Sequence, residues 1–197
     1  MTTATVTATA SGAAPAPRIV NGFDLDVIEQ AGAALAANPA MAQSTFRART
    51  EWQGQLRSRT EIDSYDLGGQ RIPRKHRIMS DEPVELLGSN EAPNPQELLL
   101  AALNACMMVG FVATASQQGL RIDSLAIESE CSLDLRGAFG LDPNVKPGAE
   151  KIVYTIRVKG SGTQEQFDAV HREMTTKSPN RFHLAQPIPF ECKVQLE

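Results

Sequence analysis

One segment restricts the fold more than any other. From Leu98 to Gln118 the chain carries no charged residue, and Leu, Ala, Met, Val and Phe dominate it. Its start is well marked. Asn94 suits an N-cap, Pro95 the first helical position, and Glu97 can close a capping box back onto Asn94. Gly119 suits the stop. The sequence therefore predicts a helix of about six turns that is apolar nearly all round and must be buried on every side. Its length approaches a membrane span. Asn104, Gly110 and Thr114 interrupt it, its alanines weaken it, and it lacks flanking Lys/Arg or an aromatic belt, so a central core helix is expected and no membrane. A helix this apolar in a chain of 197 residues also suggests that a second subunit covers part of it.

The flanking segments read as strands and shorter helices. Phe23 to Ala37 has helical apolar spacing and ends at Asn38-Pro39. Ser44 to Gln53 and Gln55 to Tyr65 form a hairpin about Gly54, and a third strand follows near Ile72 to Met79 after Gly68-Gly69. Ser80 to Pro95 is a loop. Leu120 to Leu135 alternates apolar and acidic residues, Arg136 to Ala149 is a Gly/Pro-rich loop, and Ile152 to Val158 alternates again. Thr163 caps a helix to about Thr176, and Pro189 to Leu196 closes the chain as a strand. The order predicts an α+β domain with a largely antiparallel sheet and helices on one face. Residues 1–18, rich in Thr, Ala and Pro, read as a disordered tail. Residues 19–197 read as one domain, with 19–43 as a helical extension.

Composition narrows the function. A net charge of −4 and no basic stripe exclude nucleic acid as the expected partner. Three cysteines without a CxxC pair and three scattered histidines, His76, His171 and His183, indicate neither a disulfide framework nor a metal site, and no cofactor is expected. The N-terminus has no charged-then-apolar pattern of a signal peptide, so a reducing, cytoplasmic setting is expected.

Alternation places Cys131 with Ile127 and Leu133, and Cys192 with Phe190, Val194 and Leu196. Both read as small core residues. Cys106 lies mid-helix among Ala105, Met107 and Met108, where a core role is again the reading that local pattern favours. It is about three turns from the helix start, beyond the reach of the helix dipole. A reactive thiolate there needs a nearby cation, and Arg47, Arg49, Arg57 and Arg59 of the first hairpin are the densest group.

The run from Asn94-Pro95-Gln96-Glu97 through Ala101-Ala102 to Ala105-Cys106 resembles the signature that opens the central helix of the OsmC/Ohr family. Gly88-Ser89-Asn90 resembles the approach to it, and the resemblance extends over about Ser44 to Leu196. It implies an intertwined homodimer with packed central helices, and reduction of organic hydroperoxides by the helix cysteine, with a low-molecular-weight thiol or dithiol as reductant. By the match Cys106 is the peroxidatic thiol, and Arg57 is the best candidate for its arginine partner. Two positions depart from the pattern. Gln96 stands where the family has a glutamate, and Lys177-Ser178-Pro179-Asn180 puts Ser178 where the resolving cysteine lies. Glu97 is no substitute for that glutamate, because nine residues at about 100° each set it opposite Cys106. Gln96 is about 15 Å along the helix from Cys106, so a shared site draws Gln96 from the partner chain.

Two functions follow. The first is a one-cysteine, thiol-dependent peroxidase using Cys106, Arg57 and Gln96. The alternative is a non-catalytic dimer that binds a small hydrophobic ligand in an interface pocket of Met107, Met108 and Phe111, beside Ser178. Acyl-transfer chemistry at Cys106 would need a histidine such as His183 brought close by the fold.

Overall fold

A computed structural model of the protein describes residues 16–196. The expected disordered tail falls mostly on residues 1–15, outside the described residues. The first element is a two-residue hairpin, β1 (Ile19–Val20) with β2 (Phe23–Asp24), turned at Asn21 and Gly22, both at positive φ. Asp24 then caps α1 (Leu25–Ala37), its carboxylate accepting from the amides of Asp26 and Val27. Only Leu25 of this helix is buried, so its apolar residues do not cover a sheet within the chain.

The next unit is an antiparallel sheet of β3 (Ser44–Phe46), β4 (Arg49–Trp52), β5 (Ser58–Leu67) and β6 (Gln70–Ser80). β5 is central. β6 lies along one edge, and β3 and β4 share the other as one strand broken at Arg47 and Ala48. Gly68 and Gly69, both at positive φ, make the tight turn between β5 and β6.

A loop with a 3-10 turn at Val84–Leu86 leads into α2 (Pro95–Gln117). The predicted capping box is present: the Asn94 side chain accepts from the Glu97 amide at 2.8 Å, and the Glu97 carboxylate accepts from the Asn94 amide at 2.7 Å. Gly119, at φ +72°, stops the helix. β7 (Ile122–Cys131), α3 (Leu135–Ala138), β8 (Ile152–Gly160), α4 (Gln164–Lys177) and α5 (Pro179–Ala185) follow, with β7 and β8 paired antiparallel.

The core lies between α2, α4 and the inner face of β7–β8. It contains Leu103, Met107, Phe111, Ala115, Leu120, Phe167, Val170 and Met174, each buried, with β7 and β8 side chains such as Ile127 and Ile156 against them. Burial of each large apolar side chain contributes about 1.5–3 kcal/mol. Gly110 permits the close α2–α4 contact, since a Cβ there would meet Met174 Cγ at 2.8 Å.

The α+β class and antiparallel pairing agree with the sequence. Several elements differ from it. β7 ends at Cys131, and Leu135 opens the one-turn α3 at the head of the expected loop. α5 was not foreseen. The expected last strand, 189–196, pairs with nothing among the described residues, because no neighbouring strand presents it a ladder. Phe190, Val194 and Leu196 are exposed by 91%, 85% and 99%, and Cys192 is exposed too rather than a core residue. Cys131 is half-buried. α2 is not buried all round within this chain, for Val109 is 68% exposed and Leu99 lies open as well. It packs against β7, α4 and α5 as a core helix of the domain.

Candidate functional site

Cys106 projects from the middle of α2 toward the junction of α4 and α5. The two helices meet at Ser178, where Pro179 opens α5 and the serine hydroxyl caps it by accepting from the Arg181 amide at 3.4 Å. Proline suits that first position because its missing N–H has no helical partner to lose. Asn180 ties the junction to α2 by donating to the Ala102 carbonyl at 2.8 Å, the acceptor that also serves the Cys106 amide in a regular helix. These contacts set the Cys106 thiol 3.2 Å from the Ser178 hydroxyl. Cys106 is half-buried and Ser178 only 3% exposed. A serine oxygen that accepts from an amide still has its own hydrogen to donate, so the hydroxyl can hydrogen-bond to sulfur but cannot form a disulfide with it.

The hairpin arginines are engaged by carboxylates. Arg47 pairs with Asp66 at 2.7 Å, Arg49 and Arg59 with Glu51 at 2.6 Å, and Arg57 with Glu91 at 3.4 Å. Among the described contacts none of the four touches Cys106. The Nε atom of Arg57 is buried without a hydrogen-bond partner among the described residues, and that of Arg59 lies 3.5 Å from a Glu61 carboxylate oxygen. Glu91 belongs to the loop leading into α2, and Asp81 organises that loop. Asp81 is 1% exposed and accepts from the amides of Glu82 (2.8 Å), Ser89 (3.0 Å) and Glu91 (3.1 Å). Burial pulls its carboxyl upward, but the three amides and the Arg57 charge outweigh it and hold it below the ordinary value.

The other expected site residues separate. Gln96 lies exposed on the first turn of α2, far along the helix from Cys106. Met107 and Phe111 are 0% and 1% exposed inside the chain's own core, while Met108 is half-buried. His183 stands edge-on to Phe182 on α5. Sequence reasoning missed Asp81, Asn180 and Arg181. The Ser-Pro-Asn-Arg order, a capped helix start, was the available signal for the last two. No group of three or more His, Cys, Asp or Glu residues suited to a metal occurs among the described residues.

Residues 88–193 match the family described as OsmC-like protein. This chain belongs to the OsmC-like family. It is 24% identical over 161 residues to the uncharacterized protein YmaD of Bacillus subtilis (strain 168), covering 80% of this chain and 95% of YmaD. Its fold is similar to that of an OsmC-like protein from Mycoplasma pneumoniae, with a TM-score of 0.56, 13% identity and coverage of 72% of this chain and 87% of that one. It is also similar to an OsmC-like protein of unknown function from Vibrio cholerae, with a TM-score of 0.52, 17% identity and coverage of 71% and 92%.

Proposed function

We propose that the chain is a one-cysteine, thiol-dependent peroxidase that reduces small organic hydroperoxides through Cys106. The observation that carries the reading is the 3.2 Å contact between Cys106 and Ser178 at a capped helix junction. The thiolate of Cys106 attacks one peroxide oxygen, and the O–O bond breaks. The leaving alkoxide takes a proton and departs as the alcohol, and Cys106 becomes a sulfenic acid. Ser178 offers no second thiol, so a low-molecular-weight thiol attacks the sulfenic sulfur, releasing water and leaving a mixed disulfide. A second thiol equivalent frees Cys106 and carries the disulfide away.

The functional unit in this reading is a cytoplasmic homodimer. Support comes from the open face of α2, the exposed tail and the β3–β6 sheet. Phe46 and Trp52 of that sheet are 73% and 76% exposed, and no residue of it belongs to the core. In the dimer Gln96, and an arginine such as Arg57 released from Glu91, reach Cys106 from the partner chain.

The pairing of Arg57 with Glu91 favours a second reading, a non-catalytic dimer that binds a small hydrophobic ligand at its interface. The test is the rate of Cys106 oxidation by cumene hydroperoxide and by hydrogen peroxide, followed by intact mass, with Cys106→Ser as control. Fast oxidation that prefers the organic peroxide and needs Cys106 supports the peroxidase. A rate equal to that of a free thiol overturns it in favour of the second reading.

A further inference from the structure

A cavity of about 200 Å³ opens between β8 and α4, apart from the Cys106–Ser178 contact. Its floor is apolar: Phe111, Phe167, Ile156 and Val158. The two phenylalanine rings lie nearly parallel, 18° apart in plane with centroids 6.1 Å apart. Its rim is polar: Tyr154, His171, Asp168 and Gln164.

The rim has a defined hydrogen-bond pattern. Tyr154 Oη and His171 Nε2 are 2.8 Å apart. Burial, with help from Arg181 and Arg172 against Asp168, lowers the His171 imidazole from its ordinary value. A neutral ring that accepts the Tyr154 proton at Nε2 carries its own hydrogen on Nδ1, and that nitrogen has no partner among the described hydrogen bonds. Asp168 accepts from Gln164 at 2.9 Å. In that tautomer the rim offers one unused neutral donor beside one carboxylate.

From this geometry we propose that the cavity binds a small, uncharged, single-ring aromatic molecule bearing an oxygen acceptor, of the phenol class. Size selects the ring: an apolar cavity of about 150 Å³ takes benzene, so about 200 Å³ takes a ring with one or two small substituents. The floor selects an apolar body, and the His171 donor selects an oxygen. Asp168 at the mouth and the absence of polar groups on the floor select against a carboxylate, since a buried charge without a partner is costly. Such a site is independent of peroxide chemistry at Cys106.

The test uses the full chain and follows backbone and side-chain NMR shifts during titration with p-cresol, toluene and 4-methylbenzoate. Saturable shifts at Val158, Phe167 and His171 are expected with p-cresol. It should bind about tenfold more tightly than toluene, the ratio one hydrogen bond supplies, and 4-methylbenzoate should not saturate. His171→Phe should bring p-cresol and toluene to parity. Gln164→Trp, at an exposed position, should block the mouth and weaken p-cresol at least tenfold. Shifts confined to other residues, equal binding of 4-methylbenzoate, or p-cresol affinity unchanged in both variants would overturn the proposal.

Discussion

The side-chain amide of Asn21 donates to the hydroxyl oxygen of Ser116 at 2.9 Å, across 95 residues of chain. The same amide nitrogen reaches the Leu120 carbonyl at 2.9 Å, and its oxygen accepts from the Ile122 amide at 2.8 Å. Ser116 is fully buried and donates its own hydrogen to the Val112 carbonyl. One side chain therefore joins the N-terminal hairpin to the end of α2 and the start of β7. Asn21→Gly keeps the backbone free to hold its φ of 48° while removing the amide. We expect a loss of about 1–3 kcal/mol from the groups left unpaired, read as a lower melting temperature. The Ile122 amide should also exchange faster.

Gly110→Ala tests the α2–α4 contact. Alanine gains up to about 1 kcal/mol of helix propensity, but its Cβ meets Met174 Cγ at 2.8 Å, near the root of a buried side chain. Overpacking costs about 1–3 kcal/mol, so the variant should be net destabilised, by about 1 kcal/mol in thermal or urea unfolding. Unchanged stability would mean that Met174 repacks freely.

Asp81 gives a pH dependence with a definite sign. Its carboxyl is held below its ordinary value in the fold. Its contribution is therefore fully present above the unfolded-state value, about 3.9, and is lost as pH falls from there through the folded value. Asp81→Asn should flatten the fall in stability below about pH 4 and loosen the loop before α2, as seen by acid unfolding and amide exchange at Ser89 and Glu91.

Ser178→Cys should place a second thiol against Cys106. Treatment with cumene hydroperoxide should then yield an intramolecular disulfide, found by peptide mapping under non-reducing conditions, where the natural protein yields none at this junction. Ser178→Ala should lower stability by about 1 kcal/mol, because the hydroxyl also caps α5, and should slow Cys106 alkylation by about tenfold, the worth of one hydrogen bond. Ser178→Thr should restore the rate.

The exposed tail gives a prediction about assembly. Replacing Phe190 and Val194 together by serine should weaken the proposed dimer and shift light-scattering mass toward the monomer, with the α2–α4 core unaffected. An unchanged mass would place the interface elsewhere.

The sequence carried α2 almost completely, because Asn94, Pro95, Glu97 and Gly119 act locally and their partners lie within a few residues. It also carried the strands whose alternation reflects one buried face, β7 and β8. Ser178 was singled out only through the family resemblance, as the residue at the resolving-cysteine position, and no local pattern put it beside Cys106. α5 was hidden because seven residues, Pro179–Ala185, are too few for periodicity to show. The expected strand at 189–196 has the right alternation, but a ladder needs a neighbour, and the pattern of one segment does not name it. Arg57 was matched to Cys106 through the family resemblance and its place in the hairpin. Its partner within the chain, Glu91, depends on a loop shaped by Asp81, a residue with no local signature.

β6 has its outer side free, since β5 is its one partner among the described strands. Along that strand lie Arg71, Pro73, Arg74, Lys75, His76 and Arg77, with no acidic residue. Proline withholds a ladder donor, and two such edges brought together would set cation against cation. A long open strand normally invites runaway stacking into fibres. Here the edge repels its own copies, so self-association should not run through β6, and any strand that joins it should be one rich in carboxylates.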